Sequence, residues 1–139
     1  MGCNSNRQNR MGGIVMTQED KELLLKDLCA RLPYYPRVKV WLKDGTTEEG
    51  ALDLEHNYGD VLRDAFYYKK IVKIKPCLFP LSSMTEEQKR EYQYITERWM
   101  YDSSYSISDS TDWLNENHFD YRGLIPKGLA IDATGLNIY

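Results

Sequence analysis

The chain has 139 residues, 42% of them hydrophobic and 28% charged, with a formal net charge of −3. That length suits one core and leaves little room for a second, and the composition lies far from the low-hydropathy corner where chains stay unfolded. A slightly acidic chain is poorly suited to coating phosphate backbones wholesale, and no apolar run approaches the roughly 20 residues that cross a bilayer.

Residues 1 to 15, beginning "MGCNSNRQNR", are polar and aperiodic, and Met11 and Met16 offer alternative starts. The expectation is a disordered arm or an over-extended gene start, followed by a single domain over 16 to 139. The start lacks the apolar centre of a signal peptide, and Asn6 stands where a lipidation signal needs Ser or Thr. Cys3, Cys29 and Cys77 are odd in number and widely spaced, which suits neither a disulfide framework nor a zinc ribbon. Cys29 and Cys77 therefore read as small buried apolar residues in a reducing, cytoplasmic setting.

The segment "MTQEDKELLLKDLCARLP" predicts an amphipathic helix. Thr17 caps it, Glu19, Asp20 and Glu22 suit its positive end, and Pro33 stops it. Its expected inner stripe is Leu24, Leu25, Leu28, Cys29 and Leu32. Next, Val38, Val40 and Leu42, then Leu52 and Leu54, alternate with polar residues, and turn signals stand at Asp44-Gly45 and Asn57-Tyr58-Gly59. Four strands, roughly 37 to 43, 48 to 55, 61 to 68 and 71 to 75, are expected as an antiparallel meander able to curl towards a small, partly open barrel. A second helix follows Thr85-x-x-Gln88, with Ser83 and Glu86 as an alternative capping box. Tyr92, Ile95 and Trp99 mark its inner stripe, and Glu86 can pair with Arg90 outside. A short third helix is expected from Asp112 to His118, and the tail after Gly123 as extended chain over the core. The fold class is α+β.

The stretch "DWLNENHFDYRGLIPKGLA", 112 to 130, concentrates reactive side chains. A catalytic reading makes His118 a general base oriented by Asp120, with Arg122 clamping an anion. No nucleophile or metal set accompanies them. The architectural reading, in which Trp113, Leu114, Phe119, Leu124 and Ile125 anchor the segment while its polar groups tie a turn together, is preferred. No enzymatic activity, metal or cofactor is expected.

Two binding readings remain. Tyrosine is abundant, 11 residues, and neighbours such as Tyr34-Tyr35 and Tyr67-Tyr68 cannot both face one core. Exposed tyrosine favours protein interfaces, so the leading expectation is a protein-binding accessory factor using Tyr34, Tyr35, Tyr67 and Tyr68. The alternative is a nucleic-acid-binding regulator using "RDAFYYKKIVKIK", in which Arg63, Lys69, Lys70, Lys73 and Lys75 accompany three aromatic residues. Against it, residues 44 to 60 carry six acids and no Lys or Arg, and a meander sets that acidic strand beside the basic one. His56 reads as a solvated loop residue.

The segments "KELLLKDLCARLPY", "KPCLFPLSSMTEE" and "WLNENHFDYRGLIPKGLA" resemble a family of short uncharacterised proteins that recurs in genomes of gut bacteria and their phages. Residues 1 to 15 lie outside the resemblance, which favours Met16 as the natural start. Cys77-Leu78-Phe79 departs from the more polar form of that motif. The resemblance implies a phage or mobile-element setting and a small cytoplasmic accessory protein, and it carries over no catalytic residues.

Overall fold

The computed structural model describes residues 10–11, 14–52, 71–104 and 106–139. Strands β1 (Arg10–Met11) and β2 (Ile14–Val15) pair antiparallel, and helix α1 (Gln18–Arg31) follows. Thr17 Oγ1 accepts the Asp20 N–H at 3.0 Å while the Asp20 carboxylate accepts the Thr17 N–H at 3.5 Å. This reciprocal cap satisfies two otherwise orphaned donors and sets the helix start. A 3₁₀ turn, Leu32–Tyr34, with Pro33 in its first turn, closes the helix.

The inner face of α1 differs from the expected stripe. Leu24, Asp27 and Arg31 are buried, whereas Leu25 is 63% exposed and Cys29 is also exposed. The cause is that Asp27 and Arg31 find partners in the C-terminal segment, which turns the helix by part of a step and swings 25 and 29 outward. Cys77, by contrast, is buried as expected.

Strands β3 (Arg37–Leu42) and β4 (Thr47–Ala51) form a hairpin in the register Val40↔Glu48. Its turn uses Gly45 at φ 91°, and the Asp44 carboxylate accepts the Thr46 N–H at 2.9 Å. Strand β5 (Ile71–Pro80) is longer than expected and lies on the other side of β3, with Trp41↔Lys73 and Lys39↔Lys75 opposite each other. Helices α2 (Glu86–Arg98) and α3 (Ser108–Glu116) and strands β6 (Phe119–Asp120) and β7 (Ile131–Asp132) complete the described elements.

The molecule is α+β, with three α-helices among the described residues and an open five-stranded sheet in the order β4-β3-β5-β6, β7 also pairing with β5. The expected meander is corrected in two ways. Strand β5 pairs with β3 rather than following the chain order, and β6 and β7 join it parallel, so among the described residues the sheet is mixed and does not close. Residues 61 to 68 and the Asn57-Tyr58-Gly59 turn lie outside the described residues. Pro76 accounts for the mixed pairing: it pairs with Val38 at the end of the β3 ladder and has no N–H to extend it, and from Cys77 onward β5 pairs with β7 and β6. Where an Arg37↔Cys77 pair would follow, the Tyr139 hydroxyl intervenes: it accepts the Arg37 N–H at 2.8 Å and donates to the Cys77 carbonyl at 2.7 Å.

Three apolar clusters form the core. Leu24, Leu78, Leu124, Leu129 and Ala130 join α1 to β5 and the tail, Val38, Val40 and Leu52 fill the hairpin side, and Trp113, Leu114 and Phe119 hold α3 against α2. Thr85 and Gln88 form the expected capping box of α2, and Tyr92 and Ile95 face inward. Ser83 instead donates to the Pro80 carbonyl, and Glu86 pairs with Lys89 at 3.2 Å. Trp99 is 43% exposed, because α2 ends at Arg98 and the helical period no longer carries it inward. Helix α3 starts at Ser108, four residues earlier than expected, and the tail packs on the core through Leu124, Leu129 and Ala130, in turns over 124 to 130 and not as the extended chain expected.

Candidate nucleic-acid interface

The 112 to 130 segment is built around one buried carboxylate. Asp27 accepts from Arg31 Nε at 2.8 Å and Arg31 Nη2 at 3.0 Å, and its Oδ1 also accepts from Arg122 Nη1 at 3.0 Å. Arg31 Nη2 further donates to the Phe119 carbonyl at 2.7 Å, and both guanidinium groups lie over the Tyr121 ring. Two arginines on one acid, with α1 supplying an i, i+4 pair, lock the helix to the turn at 119 to 122.

Asp120 points its two oxygens at the backbone, accepting the N–H groups of Leu124 and Ile125 at 2.9 Å each. It thus forms a turn and does not orient His118. His118 sits in the left-handed region at φ 62°, its carbonyl accepts the Phe79 N–H at 2.8 Å, and its ring stacks on Tyr139 with centroids 3.6 Å apart. Its Nδ1 is buried without a hydrogen-bond partner. Burial, reinforced by the Arg31 charge, lowers the His118 pKa to about 4. The three side chains weighed as a catalytic set are therefore engaged separately: His118 with Tyr139, Asp120 with the backbone, Arg122 with α1.

A different cluster forms on the outer face of the sheet. Val38 and Val40 point into the core, so Arg37, Lys39 and Trp41 alternate to the opposite face, where the register brings Lys73 and Lys75 alongside. The Nζ atoms of Lys73, Lys39 and Lys75 lie 4.2, 5.3 and 5.7 Å from the Trp41 ring centroid. Trp41 and all three lysines are half-buried. Trp41 belongs to none of the three core clusters among the described residues.

The electrostatics are lopsided. Lys39 stands directly opposite Lys75, a like-charge pair that costs stability on a sheet. Burial and the neighbouring Lys73 lower the Lys75 pKa. The nearest described acid is Glu49 on β4, whose carboxylate approaches Lys39 at 4.0 Å, the outer limit of an ion pair. The acidic strand expected beside the basic one is thus separated from it: β3 stands between β4 and β5. Among the described residues, cross-strand neutralisation, the main objection raised by the sequence, falls on Lys39 and not on Lys73 or Lys75.

Of the residues named from sequence, Lys73 and Lys75 are in this cluster, while Arg63, Lys69, Lys70, Tyr67, Tyr68 and His56 lie outside the described residues. Tyr34 is half-buried beside α3, where burial and the Asp112 and Glu116 carboxylates raise its pKa. Tyr35 is 44% exposed and left-handed at φ 53°. Sequence reasoning missed Lys39 and Trp41, although their alternation with Val38 and Val40 signalled a polar face. It also missed the buried Asp27–Arg31 pair, whose signal was the i, i+4 spacing.

No protein-family model matches the chain, no curated protein matches it, and no solved structure matches it. Among the described residues, no helix is long and apolar enough to cross a membrane.

Proposed function

We propose that the protein is a non-enzymatic binding module that takes single-stranded nucleic acid on the outer sheet face around Trp41. The observation that carries the reading is the convergence of Lys39, Lys73 and Lys75 on one indole ring. Like charges gathered with one distant acid among the described residues are held at a cost that an anionic ligand relieves. Phosphates draw the ammonium groups off the ring, and the freed indole stacks on a base. An exposed cation–π contact is worth about 0.5–1 kcal/mol and base stacking on an aromatic side chain about 1–3 kcal/mol, so stacking roughly offsets the release of three contacts and the lysine–phosphate contacts supply the net gain. Stacking does not read base identity, so the module is sequence-tolerant.

The test is fluorescence anisotropy with labelled oligothymidylate and oligouridylate. Lys73→Glu weakens binding at least tenfold, and Trp41→Ala weakens it while leaving the salt dependence in place. Equal affinity for wild type and Lys73→Glu would sink the proposal.

A second reading, the protein-binding accessory factor expected from tyrosine abundance, is favoured by the exposure of Tyr35 on the turn between α1 and β3. It predicts that Tyr35→Ala releases a captured protein partner with no effect on oligonucleotide affinity. The phage or mobile-element setting belongs to the proposal and rests on the three resembling segments.

A further inference from the structure

Lys75 sits between two other amines on the outer sheet face. It stands directly opposite Lys39 on β3 and two positions from Lys73 on its own strand, and the three Nζ atoms lie 4.2 to 5.7 Å from the Trp41 ring centroid. Residues directly opposite on a sheet have Cβ atoms about 4.5–5.5 Å apart, and residues two apart on a strand share a face. Lys75 therefore has one ammonium group across the ladder and another along its strand. Glu49 faces Lys39 from the β4 side, at 4.0 Å, and Arg37 shares the face two residues before Lys39.

A lysine is nucleophilic only as the neutral amine, which desolvation or a neighbouring cation makes available. Both act on Lys75: it is half-buried, and burial and Lys73 lower its pKa. An anion formed on Nζ reverses the sign of the arrangement. The two ammonium groups that oppose a protonated Lys75 become charge-assisted hydrogen-bond donors to it. Carbon dioxide is the small electrophile that converts an amine into such an anion without a leaving group.

We propose that Lys75 is a carbamylation site, at which carbon dioxide adds to Nζ and the resulting carbamate is held between Lys39 and Lys73. The amine lone pair attacks the carbon, the N–C bond forms as one C=O π pair moves onto oxygen, and the surplus proton on nitrogen leaves to solvent. Nothing is oxidised or reduced. The carbamate needs only the three amines and stands apart from the nucleic-acid reading. One consequence does rest on that reading: the carbamate engages the same lysines that would contact phosphate, so carbon dioxide and oligonucleotide compete for the face.

The experiment equilibrates the full chain in carbon-13 bicarbonate without oligonucleotide, traps carbamates as ethyl esters with triethyloxonium, and maps them by peptide mass spectrometry. Trapped ester should occur on Lys75 at least tenfold above any other lysine, and the carbon-13 carbamate resonance should disappear in Lys75→Arg. Lys39→Met and Lys73→Met, with folding verified by circular dichroism, should each lower the fraction trapped on Lys75 at least threefold. An even spread over the lysines, no carbamate on the wild type, or trapping on Lys75 that neither Met variant lowers would overturn the proposal, and the wild-type map depends on no variant. Exchanging chloride for bicarbonate at constant ionic strength should weaken oligothymidylate binding in wild type and spare Lys75→Arg; equal weakening in both would overturn the competition. A chain that traps carbamate on Lys75 yet takes no oligonucleotide would sink the nucleic-acid reading and uphold the carbamate.

Discussion

His118 combines a left-handed backbone with a buried, unpartnered Nδ1, so its protonation is coupled to folding. In the unfolded chain a histidine takes up its proton near pH 6.5, whereas folded His118 does so at about 4. The unfolded state therefore binds the proton first, and stability is full above pH 6.5 and declines as pH falls towards 4, by up to about 3 kcal/mol. Urea denaturation at pH 7.5 and 4.5 measures this. The His118→Asn variant, which tolerates positive φ and does not titrate, should flatten the difference, and an unchanged difference would assign the effect elsewhere. Asp27 is the other decisive residue. Its replacement by Ala strands two arginines, Arg31 fully buried, and should cost about 3–5 kcal/mol. Adding Arg31→Met to Asp27→Ala should cost less than the two single changes together, and strict additivity in denaturation midpoints would contradict the pairing.

At the level of elements, local signals and distant ones part company. Helices α1 and α2 were legible because Thr17-x-x-Asp20 and Thr85-x-x-Gln88 close their caps within four residues. Thr85→Ala should accordingly cost about 1 kcal/mol in thermal or urea denaturation. The β3–β4 turn was equally legible at Asp44-Gly45. Gly45 is at φ 91° with open space where a Cβ would stand, so Gly45→Ala should cost roughly 1–2 kcal/mol from backbone strain alone. What the sequence could not reveal depended on far-off partners. The face that α1 buries is decided by Arg122, 95 residues beyond Asp27. Strands β6 and β7 are two residues each, too short for any period to register, and their parallel pairing makes the sheet mixed. The order β4-β3-β5 likewise joins strands distant in sequence, whereas chain order pointed to a meander. Lys73 and Lys75 were legible as basic residues. Their meeting with Lys39 and Trp41 was not, because register between strands thirty residues apart leaves no local trace.

At the scale of the molecule, the sheet sorts the charges of the described residues. A chain with net charge −3 concentrates three lysines around Trp41, and the strand order keeps the β4 glutamates on the far side of β3. The architectural turn at 118 to 125 leaves that face unaltered, since its polar groups are engaged with α1 and their own backbone. Because burial and Lys73 lower the Lys75 pKa, phosphate binding should raise it again. Affinity for oligonucleotide should thus weaken as pH is raised into the alkaline range, and Lys75→Arg, which stays charged, should remove that weakening. The most direct measurement is the affinity of the intact protein for oligothymidylate between 50 and 300 mM NaCl. Three lysine–phosphate contacts predict a slope of log K against log salt of about −2, shrinking by about 0.7 in Lys73→Ala. Binding that is absent at low salt, or a slope near zero, would contradict the account.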